Sequence, residues 1–393
     1  MAHHSHLSRS VALALLFVLV FVTLVLATKP PKPLPKLKLA SDKYLRVIAI
    51  DGGGVRGILA TQILVALEQK IQKRVGPWAR INDYIDVIGG TSTGGIMALA
   101  LLDGLNATAV AQMWVESGTL SLTRLSLATA PSPRPTAPII FSKSMRNFLG
   151  PSVYSAYKPS NLEQRLQNVL GTKLMSSYSA KSYAIVAFDI GNSQAGIFTR
   201  DSVNERGDFL AWKVGRATSA APTYFPTAFI SAENGVNYTY VDGGIMANSP
   251  AAIVLNVAEH DFPSYRFEQT VLLSIGCGNE DVLVSGYQDW GYTPWFTQGK
   301  IVDLMVYAPQ IAVDESMARR FGNANIPDQY ARIQYDKRST PVKLPACQSA
   351  NFAMDNIDEK NLYLLQLCGQ QVAQANDAVL ERFADYFVFN QMR

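Results

Sequence analysis

The chain has 393 residues, 48% of them hydrophobic and 17% charged, which excludes a disordered tail, a collagen and a small disulfide scaffold. Its formal charge of +4 resides near one end, where Arg9 and Lys29, Lys32, Lys36, Lys38 and Lys43 outweigh Asp42 and leave a nearly neutral body. Such a body has no field to attract nucleic acid, so that class is excluded too.

Residues 11–27 (VALALLFVLVFVTLVLA) are an apolar run behind Arg9, interrupted only by Thr23. The run fits a secretory signal peptide cleaved after about Ala27, and it is also long enough to be an N-terminal membrane anchor. The first reading makes the protein secreted or vacuolar; the second makes it membrane-anchored. Residues 28–43, with four prolines and five lysines, are expected to form an extended, solvated linker. The sequons at Asn106 and Asn237 agree with secretion but add little. Among Cys277, Cys347 and Cys368, a Cys347–Cys368 bridge is open in an oxidising compartment, and no spacing suits a metal.

Tyr44–Ile50 reads as a buried strand that ends in DGGGVRG, Asp51–Gly57. Ile58–Val75 then carries apolar residues at helical spacing: Ile58, Leu59, Ile63, Leu64, Leu67 and Ile71. Tyr84–Gly89 is a second strand candidate, running into GTSTGG (Gly90–Gly95) and an apolar helix to Leu102. Two strand–glycine turn–helix units in succession indicate an α/β domain with a largely parallel sheet. Ser182–Ile190 and Val271–Ile275 add strands. A Ser/Pro/Thr-rich stretch near 120–160 reads as surface loop, either a lid or a plain connector. Tyr287, Trp290, Tyr292, Trp295 and Phe296 suit a lipid interface or ordinary packing. Residues 300–393 read as mostly helical, ending in an amphipathic helix over Gln371–Phe389. The expected organisation is 1–27 leader, 28–43 linker, 44–275 catalytic domain and 276–393 a mainly helical extension packed on it.

Gly90-Thr91-Ser92-Thr93-Gly94 matches G-x-S-x-G between a strand and a helix, as a nucleophile elbow requires. The rival reading is a glycine-rich packing turn. A serine hydroxyl needs a base, and histidine is the usual one. Only four histidines occur, three of them (His3, His4, His6) within the first six residues. The fourth, His260, lies near a helix end and reads as a surface side chain. A carboxylate must then serve. Asp51, Asp86, Asp189 and Asp242 compete, and Asp242 is favoured because it follows a strand and precedes Gly243 and Gly244. Gly52-Gly53-Gly54-Val55-Arg56-Gly57 has the form of a dinucleotide fingerprint, yet the second strand ends in GTSTGG where that fingerprint wants an acid. Its better reading is an oxyanion hole, with backbone N–H groups converging on a developing negative oxygen.

DGGGVRG, GTSTGG, ATSAAPTYFP (217–226) and VDGG (241–244) occur in one order across residues 44–275, and together they resemble the patatin-like phospholipase family. The resemblance implies a three-layer α/β/α fold with a mostly parallel central sheet and a helical C-terminal extension. It implies a Ser–Asp dyad without histidine, with Ser92 as nucleophile, Asp242 as base and Gly52, Gly53 and Gly54 around the oxyanion. Asp51, Arg56, Gly57, Gly90, Gly94, Gly243 and Gly244 would support those motifs. Arg56 reads as a salt-bridge partner or a phosphate contact. The implied reaction is hydrolysis of acyl esters in membrane or micellar lipids, with no cofactor, metal, nucleotide or nucleic acid. Acyl transfer to an alcohol, a storage or defence protein with incidental esterase activity and a nucleotide-binding module are the rivals. Cys277 departs from the small residue expected in SIGCG and reads as buried packing.

Overall fold

The computed structural model describes residues 43–115, 155–280, 300–338 and 340–389. The leader, nearly all of the linker, the Ser/Pro/Thr-rich stretch as far as residue 154 and the aromatic run 287–296 lie outside them.

Five strands run parallel in the order β3-β2-β1-β7-β8: β1 (Leu45–Ile50), β2 (Val87–Thr91), β3 (Ser182–Asp189), β7 (Thr270–Ile275) and β8 (Tyr330–Ile333). Beyond β3, β6 (Asn237–Asp242) and β5 (Ala228–Ser231) extend the sheet antiparallel, and the short β4 (Gln194–Ala195) folds back on β3. Parallel strands buried on both faces call for apolar residues, and all six residues of β1 are buried, including Arg46, whose charge is paired with Asp86.

The pleat of β1 sends Ile48 and Ile50 to one face and Leu45, Val47 and Ala49 to the other. On the first face lie α1 (Gly57–Val75), α2 (Thr93–Leu102) and α3 (Ala107–Val115). The same core takes in α4 (Ser160–Leu170), α5 (Ser202–Arg206) and α6 (Ala211–Thr218). After the short α7 (Gly244–Ala247), α8 (Ala251–Asp261) covers the second face, joined by Met317 and Phe321 of α9 (Lys300–Asn323). The chain returns to the first face with α10 (Pro345–Ser349), α11 (Glu359–Ala375) and α12 (Asp377–Val388). These three layers, built around a mostly parallel sheet with helices at the C-terminal end, are the expected fold.

Three elements differ from the sequence reading. The second strand starts at Val87, not Tyr84, because Ile81–Asp83 forms a 3-10 turn and β1 pairs with β2 from Val47 and Val87 onward. Gly89 and Gly90 therefore lie inside the strand, where a Cβ on Gly89 would stand 2.4 Å from Val254. The last amphipathic stretch is two helices, broken at Asn376, whose φ of −107° leaves the helical region and whose side chain donates to Val372 O. Finally, the residues past 275 supply a strand as well as helices, since β8 pairs with β7 inside the main sheet.

Candidate active site

Sheet register brings the two halves of the site together. Thr91, the last residue of β2, pairs with Val186 of β3, and Asp242, the last of β6, pairs with Ala187. Ser92, one step past Thr91, thus stands level with Asp242 on the opposite side of β3. The switch point beside β1, which has parallel neighbours on both sides, opens the crevice at the same end.

Ser92 has φ 54° and ψ −121°, a left-handed conformation unusual for a residue with a Cβ. The flanking glycines allow it: a Cβ on Gly90 would lie 2.2 Å from Gly94 O, and one on Gly94 2.2 Å from Ile50 O. The strain is held by Thr218, whose Oγ1 accepts the Ser92 N–H at 2.8 Å and donates to Val186 O at 2.5 Å. With Ser92 so placed, α2 begins at Thr93 and directs its first N–H groups at the hydroxyl's surroundings.

Asp242 is 5% exposed and lines the same cavity as Ser92. Oδ1 accepts the Gly244 N–H at 2.7 Å, so the glycine after Gly243 orients the acid. Burial raises the Asp242 pKa to about 6, against the lowering pulls of Ser92, Gly244 and the Arg216 cation. A carboxylate so adjusted is ionised at neutral pH yet far more basic than an exposed one.

The other candidates are occupied elsewhere. Asp86 lies just before β2, not inside it, and its carboxylate takes the Arg46 backbone N–H and guanidinium at 2.9 and 3.1 Å. Asp189 closes its own turn by accepting from Gly191 N and Asn192 N. Asp51 is buried against Arg332 of β8, with Nη1 2.8 Å from Oδ1. His260 sits in the last turn of α8, exposed, 3.2 Å from Asp201.

The glycine loop divides in role. Gly52 N donates to Asn248 O at 3.0 Å and Gly52 O accepts from Asn248 Nδ2 at 3.1 Å, so its N–H is unavailable to an oxyanion. This corrects the expectation that all three glycines donate. Gly53 N and Gly54 N have no partner among the described residues, and both glycines line the cavity that Ser92 and Asp242 face. Gly54 has φ +59°, and a Cβ there would stand 2.3 Å from Met354 O. Arg56 donates to Gly53 O at 3.1 Å and to Asn279 Oδ1 at 3.0 Å, so it shapes the loop through hydrogen bonds; the ion pair beneath the loop belongs to Asp51 instead. Gly57 accommodates Thr93 and Met97, whose atoms approach its missing Cβ within 3 Å. Gly243 passes 2.3 Å from Val186 O by the same measure. Cys277 is buried with its thiol pushed up to about 12, an inert packing group as expected.

The cavity has a volume of about 360 Å³. Its polar end holds Ser92, Thr93, Asp242 and the Gly53 and Gly54 amides; Ile96, Trp114, Leu162, Phe225 and Val306 make the rest apolar. That combination suits an ester whose carbonyl meets the amides while a long hydrocarbon occupies the remainder. Sequence reasoning missed Arg332 and the roles of Thr218, which lies in the ATSAAPTYFP stretch, and of Asn248. Each acts on a partner more than a hundred residues away, which no local pattern shows.

Residues 48–255 match the family model described as patatin-like phospholipase. "Patatin-like protein 2" of Oryza sativa subsp. indica is 31% identical over 80% of this chain and 82% of its own length. "Patatin group J-1" of Solanum tuberosum is 28% identical, with 84% of each chain covered. "Probable inactive patatin-like protein 9" of Arabidopsis thaliana is also 28% identical, over 72% of this chain and 73% of its own.

Proposed function

Because the chain belongs to the patatin-like phospholipase family, whose members are lipid acyl hydrolases in general, we propose that it hydrolyses acyl esters of phospholipids and related lipids through a Ser92–Asp242 dyad and an acyl-enzyme. One observation carries the reading: a strained serine shares an apolar cavity with a buried aspartate of raised pKa and two glycine amides that have no partner among the described residues. A relative named as inactive has similar overall identity, so the reading rests on these residues and not on membership alone.

In the proposed reaction Asp242 accepts the Ser92 proton as Oγ attacks the ester carbonyl. Gly53 N–H, Gly54 N–H and Thr93 N–H hold the tetrahedral oxyanion. The proton passes to the departing alcohol, leaving the fatty acyl group on Ser92. Water, deprotonated by Asp242, then attacks that ester and the fatty acid leaves as the Ser92 hydroxyl is restored. Histidine is not needed because burial supplies the basicity. The Cys347–Cys368 disulfide supports reading the leader as a route to an oxidising compartment.

Phosphatidylcholine hydrolysed in oxygen-18 water tests the scheme. Single turnover should place one label in the released fatty acid, and Ser92→Ala and Asp242→Asn should each abolish release while remaining folded. Full activity in either variant would remove the dyad.

A further inference from the structure

α9 changes its character halfway along. From Gly322 back to Asp314 it behaves as a surface helix should: Met317 and Phe321 are buried at 4% and 0%, while Glu315 and Arg319 are exposed. Nearer its start the arrangement is inverted. Leu304, Met305 and Ile311 are 37%, 52% and 46% exposed, Ala308, Pro309 and Ala312 are exposed with them, and the buried residue is Gln310. Gln310 is held inside by Asn279, whose Nδ2 donates to its Oε1 at 3.2 Å. Between residues 301 and 312 the sequence has a single charge, Asp303.

Leu304, Ala308 and Ile311 lie one above another on the helix, a turn apart, with Met305 and Ala312 beside them. The row is continuous with the cavity: Met305 and Val306 line it, as does Ile245 of the adjoining α7, itself 38% exposed. An apolar strip that runs from open surface into the substrate cavity has no need of charge if both meet the same phase.

We propose that the first half of α9, with Ile245, is the face on which the protein rests on the surface of a lipid aggregate, so that an acyl chain passes from lipid to Ser92 without crossing water. The proposal rests on the lipid reading of the cavity. Contact is in the plane of the surface, with Leu304 and Ile311 entering the acyl boundary and the charged second half of α9 remaining in water.

The test uses Leu304→Glu/Ile311→Glu in the full chain, since neither residue lines the cavity. Two substrates are compared, monomeric p-nitrophenyl butyrate and phosphatidylcholine vesicles, and sedimentation with the same vesicles is measured in a Ser92→Ala background. The expected result is that fatty-acid release from vesicles falls about tenfold or more and sedimentation is lost. Butyrate turnover, melting temperature and elution volume stay as in the parent. Vesicle hydrolysis at the parent rate would overturn the proposal. So would a joint fall of both activities with the melting temperature, which would mean that the chain's own residues cover the strip. A parent dimer dissolved by the substitutions would give the face to a second copy. If the parent cleaves neither ester, the enzymatic reading fails by itself, and sedimentation still decides the docking face.

Discussion

Asp242 carries its burial as a cost that its ionised form must bear, and two measurable consequences follow. As a base it must be deprotonated, so kcat/KM for a soluble ester should rise with pH through an apparent pKa near 6 and level off above it. Its folded pKa lies above that of an unfolded aspartate, so the native state binds the proton more tightly. Stability from this group is full below about pH 4 and is lost as pH rises through about 6. Asp242→Asn, which keeps an oxygen for the Gly244 N–H, should therefore be more stable than the parent by about 2–3 kcal/mol at pH 8. The difference should vanish near pH 4, as read by urea unfolding. Arg216 opposes the upward shift: it is 3% exposed, binds Glu163 and Pro226 O, and its charge favours ionised Asp242. Arg216→Met should move the acid limb of the activity profile to higher pH, and an unmoved limb would leave Arg216 a purely structural role.

At the scale of elements, β8 and the glycine loop are joined by one buried pair. Asp51 closes β1 at 1% exposure, and Arg332 reaches it from two strands away. Burial raises the Asp51 pKa and Arg332 restrains that rise. Arg332→Met should cost about 3–5 kcal/mol at pH 7, because it leaves a buried carboxylate without its counter-charge. The loss should shrink on acidification, once Asp51 is protonated, and urea midpoints over a pH series would show it. Such long-range pairs are what the sequence conceals. The strand–glycine–helix units were legible because periodicity and glycine placement are local, and Ser92 with its glycines was legible for the same reason. Arg332, the role of Thr218 and the inverted start of α9 were not, since each is defined by what lies across the fold. The misplaced start of β2 has the same origin: Tyr84 and Ile85 are apolar enough for a strand, but pairing with β1 begins only at Val87.

Across the whole molecule, the C-terminal helices close the face on which α1 packs, and a covalent tie secures them. Cys347 of α10 and Cys368 of α11 are bonded, both fully buried and 21 residues apart in sequence. Closing a loop of that length restricts the unfolded chain by about 3 kcal/mol. Cys347→Ala/Cys368→Ala should accordingly lower the melting temperature by several degrees while leaving butyrate hydrolysis at 25 °C close to the parent's, as neither cysteine lines the cavity. Loss of activity in a folded double variant would instead tie the α10–α11 region to the site. The fold as a whole was legible from two strand–glycine–helix units and four motifs in order, because an α/β sheet places strand ends at one crevice whatever the helices contribute.

The dyad is the central claim, and one measurement addresses it directly. The protein without its first 43 residues is treated with a fluorophosphonate, and the modified peptide is located by mass spectrometry. The adduct should fall on Ser92 in the parent and be lost in folded Asp242→Asn. An adduct on any other serine, or labelling of Ser92 that is indifferent to Asp242, would contradict the mechanism.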